Sequence, residues 1–425
     1  MTPKKKLPIT LARPEHTLSR SLVDDDALWV LRRLRRSGYL AYIVGGAVRD
    51  ILLGREPKDF DIGTNARPSE VKALFRNCRL IGRRFRLAHV FFRRKGAPDK
   101  IVEVTTFRGL EKMEDDSHLT SEDRDKTGAV FGSPEDDAMR RDFTINALLY
   151  NFDDFSIIDY AGGLSDLESK KIRLIGEPDE RFSEDPVRML RAIEFAARLG
   201  FTIERKTASG IKANAHLISE SSPARLRDEV RQMQHLGIVG EVFREASRLG
   251  LFEHLYPEVE VSDGIYHLLK PLDDESKKGR SQQEYRYIAA LALPTVVNHY
   301  PLTGEARLDE AAPAITEVVT PLCARYQISA HIRHQAKEII LSCYRFAKGK
   351  HYRAKGKFAR RKDFAEAWEF YSLWAAFDDS QSSAAGYWGS YLEERNTPLD
   401  QKKKPRKRSG RRRRRPSKRG APPTS

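Results

Sequence analysis

Three acidic residues and a pair of glycines have the types and spacing to act on a phosphate. They are Gly45-Gly46, then Asp59 and Asp61 either side of Phe60, then Glu103 in a later apolar run. Side chains alternate along a strand, so a strand from Lys58 to Ile62 would put Asp59 and Asp61 on one face. Glu103 lies in Ile101-Val102-Glu103-Val104-Thr105, where the flanking valines point to the opposite face. An acid in such a run is costly unless it is paired or ligates a cation. Three converging carboxylates suit two Mg²⁺ ions, with Mn²⁺ as a substitute, roughly 3.5–4 Å apart. One ion would activate an attacking hydroxyl and the other would neutralise departing pyrophosphate. The chemistry expected is in-line displacement at the α-phosphate of a nucleoside triphosphate.

These groups need a short, buried frame. Ala41-Tyr42-Ile43-Val44 reads as a strand, Gly45-Gly46 as a turn, and Ala47 to Leu53 as a helix ended by Gly54. Residues without a Cβ let backbone amides approach phosphate oxygens, and a following helix start adds partial positive charge. A Gly-Gly or an Asp-x-Asp alone is commonplace; the specificity lies in their order within one strand-turn-helix-strand unit. A second pair, Gly162-Gly163, precedes Leu164-Ser165-Asp166-Leu167 without nearby paired acids and reads as a plain turn.

Four ordered motifs extend the pattern: Gly45-Gly46-Ala47-Val48-Arg49-Asp50, Lys58-Asp59-Phe60-Asp61, Arg140-Arg141-Asp142-Phe143-Thr144-Ile145-Asn146, and Glu184-Asp185-Pro186-Val187-Arg188-Met189-Leu190-Arg191. Together they resemble the class II branch of the nucleotidyltransferase superfamily, which holds bacterial poly(A) polymerases and CCA-adding tRNA nucleotidyltransferases. The resemblance implies that Asp59, Asp61 and Glu103 are the metal-binding catalytic carboxylates. It implies that Gly45, Gly46, Arg49, Arg141, Asp142, Asp185, Arg188 and Arg191 form the nucleotide pocket, with ATP as substrate. It also implies an α+β fold: a polymerase-beta-like nucleotidyltransferase head, then an all-helical neck and body.

Base reading follows from donor and acceptor chemistry. Asp185-Pro186 reads as an N-cap and first helical position, opening a helix to about Leu199 with Gly200 behind it. Asp185 and Arg188 would then be neighbours. A carboxylate accepts from an exocyclic amino group and a guanidinium donates to a ring nitrogen, the pattern shown by adenine and cytosine. Guanine and uracil would leave buried groups unpaired. This pair does not separate ATP from CTP.

That separation rests on Leu80-Ile81-Gly82-Arg83-Arg84-Phe85-Arg86-Leu87-Ala88-His89-Val90, which resembles the signature of the bacterial poly(A) polymerases. As plain chemistry it is equally a loop leading into a strand. Phe358 to Trp374 resembles a late helical segment of the same enzymes and reads on its own as a core helix with a basic edge. From Gln401 onward there are thirteen Lys or Arg and no acid; subtracted from the chain's +16, they leave +3 for the first 400 residues. This tail is expected to be disordered and to bind RNA phosphates through counterion release. Arg83, Arg84, Lys402, Lys403, Lys404, Arg411, Arg412 and Arg413 are the RNA-binding candidates.

The remaining expectations come from length and composition. The 425 residues are divided into an N-terminal extension (1–24), catalytic head (25–160), helical neck completing the pocket (161–225), helical RNA-binding body (226–395) and basic tail (396–425). Gly109 to Pro134 is long and polar, and a lid that orders around substrate is expected there. Three scattered cysteines suggest neither a disulfide framework nor zinc, and no run approaches a membrane span. A cytoplasmic monomer acting on RNA 3′ ends is expected, without a membrane role. Three functions fit: a template-independent poly(A) polymerase, a CCA-adding or A-adding tRNA nucleotidyltransferase, or an RNA-binding protein with a degenerate head.

Overall fold

The computed structural model describes residues 8–82, 86–93, 96, 99–109, 131–280 and 283–396. Eight strands build one mixed sheet: β1 (Ile9–Leu11), β2 (Ala41–Val44), β3 (Asp61–Thr64), β4 (Cys78–Ile81), β5 (Leu87–Phe92), β6 (Lys100–Thr106), β7 (Leu148–Asn151) and β8 (Ile157–Asp159). Their order is β1-β8-β7-β2-β3-β6-β5-β4. Only the β3–β6 pair in this sheet is parallel.

Alternation along the strands sorts the two faces. Ile43, Ile62, Ala88, Val90, Val102 and Val104 are buried under helices Asp25–Arg36 and Pro68–Leu74, which pack on this side of the sheet. The other face carries Asp61, Glu103 and His89. A smaller apolar cluster of Val44, Ala138, Ala147, Leu149 and Ile175 supports that face from one side. Ala138 belongs to helix Pro134–Arg140, capped by Ser133, whose Oγ accepts from the Asp136 amide at 3.1 Å.

Within the expected extension 1–24, Ile9–Leu11 pairs with β8 at one edge of the sheet. Two expected boundaries move. The strand expected from Lys58 starts at Asp61, leaving Asp59 on its exposed approach. The helix expected from Asp185 runs Val187–Leu199 with Pro186 at its N-cap, while Asp185 terminates the preceding helix Pro178–Glu184. Asp185 still serves the later helix, its Oδ1 accepting from the Val187 amide at 3.3 Å.

Beyond Gly163 the chain is mainly helical. Val187–Leu199 packs against Pro223–Leu236 and Val239–Arg248, so a helix crossing the expected 225/226 boundary ties neck to body. In the body, helix Glu284–His299 is buried on all sides from Tyr285 to Val296. The Phe358 to Trp374 segment is core: Phe358, Phe364, Phe370, Tyr371 and Trp374 are buried, and Phe346 lies 5.2 Å from Tyr371 in a stacked pair. Among the described residues, no helix is long and apolar enough to cross a membrane. The expected lid falls mostly on 110–130 and the basic tail on 397–425, outside the described residues. The described ends of the lid segment meet at an Arg108–Phe131 bridge.

Candidate active site

Register brings the acidic residues together across strands. Val44 on β2 faces Asp61 on β3, Asp61 faces Glu103 on β6, Glu103 faces His89 on β5, and His89 faces Arg79 on β4. The row crosses the sheet on its open face. His89 Nε2 lies 3.3 Å from Glu103 Oε1. Burial, Glu103 and Asp59 together push the Asp61 carboxyl up to about 6, with Arg141 pulling the other way. Asp61 therefore feels the charge of both Glu103 and Asp59. Among the described residues, however, no three His, Cys, Asp or Glu side chains are gathered as a ready metal cage. The expected convergence is electrostatic, with Asp59 swung onto the strand's approach.

The glycine turn sits at the β2 end of this row. Gly45 has φ +75°, a region that L side chains rarely adopt, and a Cβ there would lie 2.7 Å from Arg141 Nη1. Gly46 opens helix Gly46–Leu52. The Gly45 amide itself donates to the Leu148 carbonyl at 3.2 Å, which ties the turn to β7. Arg141 is fixed over the turn by Asp137 Oδ2 at 3.1 Å and the Asn146 carbonyl at 3.2 Å.

Arg49, Asp142 and Arg191 form a different arrangement, a paired network. Buried Arg49 donates to Asp50 Oδ1 at 2.8 Å and Asn146 Oδ1 at 2.6 Å. Asn146 Nδ2 donates to Asp142 Oδ1 at 3.1 Å, and Arg191 reaches Asp142 Oδ2 at 2.8 Å. Burial would raise the Asp142 carboxyl, but Arg191 and Asn146 hold it below its ordinary range. Arg191 continues to Glu229 at 3.4 Å, which joins the glycine-turn helix to the neck. Arg49 and Arg191 also flank the Phe195 ring, each guanidinium 5.2 Å from its centroid.

The side chains of the expected base readers take other partners, while the Arg188 amide donates to the Asp185 carbonyl at 3.1 Å. Asp185 accepts from both terminal nitrogens of Arg225 at 2.9 Å, and Arg188 donates to the Arg181 carbonyl at 2.7 Å and to Glu184 Oε2 at 3.2 Å. Asp185 precedes the helix that carries Arg188, and the spacing of three joins their backbones. Sequence reasoning also missed Arg225 and Arg181. Arg181 Nη2 donates to the carbonyls of Arg140 and Arg141 at 2.6 and 2.7 Å, clamping the helix end that presents Arg141. Arg181 sits three residues ahead of the fourth motif; no local pattern marks Arg225. Arg83, Arg84 and the tail candidates Lys402, Lys403, Lys404, Arg411, Arg412 and Arg413 lie outside the described residues.

Gly162-Gly163 is filled by the protein itself. Asp159 Oδ1 accepts from the amides of Ala161, Gly162 and Gly163 at 3.0, 2.8 and 3.0 Å, and Oδ2 from Leu164 at 2.9 Å. The reading of this pair as a structural turn agrees with that geometry.

Comparison with known proteins identifies the family. The Poly A polymerase head domain family matches residues 41–173, the family described as the probable RNA and SrmB-binding site of polymerase A matches 200–262, and the polymerase A arginine-rich C-terminus matches 303–419. Poly(A) polymerase I of Salmonella typhi is 36% identical over 94% of this chain and 92% of its own length. A CCA-adding enzyme of Bacillus pumilus is 37% identical over 55% of this chain and 54% of its own. The Thermotoga maritima CCA-adding enzyme complexed with tRNA shares the fold, with TM-score 0.60 at 20% identity over 92% of this chain and 88% of that one. An acidic row beside a glycine turn, and similarity sustained from head to C-terminus, place the chain in the poly(A) polymerase family of nucleotidyltransferases.

Proposed function

We propose that the chain is a template-independent poly(A) polymerase, transferring AMP from ATP to RNA 3′ ends with release of pyrophosphate, in RNA polyadenylation and turnover. The observation that carries this reading is Asp61, crowded by Glu103 and Asp59 on one side and faced by Arg141 over Gly45 on the other. The donor set fits hard cations: burial, and then the neighbouring Glu103 and Asp59, raise the Asp61 carboxyl to about 6, and a divalent ion with oxygen preference relieves both. Asp59, Asp61 and Glu103 would hold two Mg²⁺, which supply phosphate charge neutralisation and a more acidic 3′ hydroxyl when bound.

The protein's own residues do the positioning. Arg141 offers a guanidinium to phosphate oxygens, and the Cβ-free turn admits the triphosphate close to the backbone. Asp185 retains acceptor lone pairs beyond those used by Arg225, enough to take an amino hydrogen from the base, while Arg188 donates to a ring nitrogen. Arg49, Asp142 and Arg191 act one step back, holding the turn against the neck. Arg83, Arg84 and the tail cations would bind RNA phosphates.

One observation favours a CCA-adding alternative, the Bacillus pumilus similarity, but it spans about half the chain whereas the poly(A) polymerase I similarity spans 94%. The discriminating experiment incubates protein and Mg²⁺ with ATP or CTP, using an unstructured RNA and a tRNA lacking its 3′ end. Long ATP-only tails on both RNAs are expected. Incorporation of C confined to the tRNA would overturn the reading.

A further inference from the structure

In-line displacement puts the attacking oxygen and the departing pyrophosphate on opposite sides of phosphorus. The phosphate-binding candidates, Gly45 and Arg141, lie on the β2 flank of the carboxylate row. The RNA strand must then arrive from the opposite flank, over β6, β5 and β4. That flank has a suitable surface, and the inference deepens the poly(A) polymerase reading on which it rests.

Ile101 lies two residues before Glu103 on β6, and Phe91 lies opposite it on β5. Side chains two apart share a face, so both stand on the side of Glu103 and His89, about 7 Å along the strands. β3 begins at Asp61 opposite Glu103, so its ladder does not reach Ile101, which is 39% exposed. The intervening Val90 and Val102 are buried on the other face. The Phe91 ring is partly exposed, with the Arg79 guanidinium 5.5 Å from its centroid and the His89 ring 6.3 Å away. The ring also borders a cleft of about 720 Å³ whose lining includes Arg79, Arg93 and Asp99 and, from the helices on the opposite face of the sheet, Asp26 and Lys72.

We propose that this surface seats the 3′-terminal nucleotide of the RNA being extended, its base stacked on Phe91 and the strand's phosphates led off by Arg79. Every base has a π face, so stacking on an aromatic ring tolerates any sequence. A guanidinium beside the ring adds attraction for phosphate without reading bases. The terminal ribose then lies between Phe91 and the Asp61–Glu103 pair, its hydroxyl directed toward the carboxylates. This arrangement suits arbitrary RNA ends and assigns the two substrates to opposite flanks of one acidic row.

The test uses full-length protein and an unstructured oligoribonucleotide carrying 2-aminopurine as its 3′-terminal base. Stacking on Phe91 quenches this probe without ATP or metal, so occupancy is read independently of tailing. F91A and F91L are expected to abolish the quench and raise the KM for RNA about 5- to 100-fold, with the KM for ATP changed less than twofold. F91W and F91Y restore both. R79A, an exposed change, raises the RNA KM several-fold and leaves thermal stability intact, which keeps the test informative if F91A fails to fold. An unchanged quench in F91L, or equal losses in F91L and F91W, overturns the proposal. A wild-type protein that quenches the probe yet adds no AMP overturns the poly(A) polymerase reading and leaves the RNA subsite standing.

Discussion

The chain contains two Gly-Gly turns after short strands, and the protein treats them in opposite ways. At Gly162-Gly163 the cradle of amides is occupied by the carboxylate of Asp159, a buried side chain that accepts four backbone hydrogens. At Gly45-Gly46 the neighbouring side chain is a cation, Arg141, with acidic Asp61 beyond it. An internal anion finishes a turn and makes it structural. A cation over a turn leaves that turn suited to an anion from outside.

The sharpest way to break this comparison is at Asp61. Asp61→Asn is expected to lower tailing at least 10³-fold in an ATP incorporation assay while retaining low-salt RNA binding, because it removes a charge at the reacting phosphate. The same change should stabilise the metal-free protein at neutral pH. The folded carboxyl titrates near 6 against an ordinary 3.8, so the folded state holds its proton more tightly than the unfolded chain. Wild-type stability therefore falls as pH rises from about 4 to 6, by at most about 3 kcal/mol. The Asn variant lacks this fall. Melting curves at pH 4 and pH 7.5 measure the difference, and a wild type whose stability rises over that interval relative to the variant contradicts the sign.

The glycines come next. Gly45→Ala places a methyl 2.7 Å from Arg141 Nη1 at φ +75° and is expected to raise the KM for ATP or lower kcat, costing 10- to 100-fold in kcat/KM, an effect of about 1.4–2.7 kcal/mol. At Gly162 a Cβ meets nothing within 4 Å, though φ is +84°. Gly162→Ala should cost about 1 kcal/mol of stability and leave the KM for ATP unchanged. Equal kinetic losses from both substitutions would erase the distinction between the turns.

Asp159→Ala removes the internal anion. Four amides, one buried and three part-buried, lose their acceptor, so about 2–4 kcal/mol of stability should go, read as a fall in Tm, with normal ATP kinetics well below the melting temperature. The smallest effect is expected at Arg225→Ala. Its guanidinium is 55% exposed, so loss of the pair with Asp185 is worth roughly 1 kcal/mol or less. The readout is a several-fold change in ATP-over-GTP preference from a less firmly oriented Asp185; unaltered preference would remove Arg225 from the pocket.

Much of the local frame was legible. β2, the helix after Gly46, the β6 run with valines buried on either side of Glu103, and the helix closed by Gly200 all follow from period, caps and breakers acting over a few residues. What was not legible involves partners distant in the chain. Asp59 was assigned to a strand because alternation favoured it, yet β3 starts where β2 and β6 offer hydrogen-bonding partners, at Asp61. Within the expected extension 1–24, Ile9–Leu11 is a strand through its pairing with β8, a partner nearly 150 residues away in the chain. Asp185 and Arg188 are neighbours as their spacing predicts, but Arg225, which grips the Asp185 carboxylate, comes from another helix forty residues on.

The order of motifs by itself determined the chemistry: carboxylates after a glycine turn, an arginine-rich pocket and a basic tail can be recognised without coordinates, because residue type and local periodicity carry that information. Tertiary structure alone decided which charges meet. It coupled Asp61 to Glu103 and His89 across strands, set Arg141 over one Gly-Gly and Asp159 under the other, and laid Phe91 beside the acidic row. Charge falls off with distance in space, and side chains stack only on what faces them; neither depends on separation along the chain.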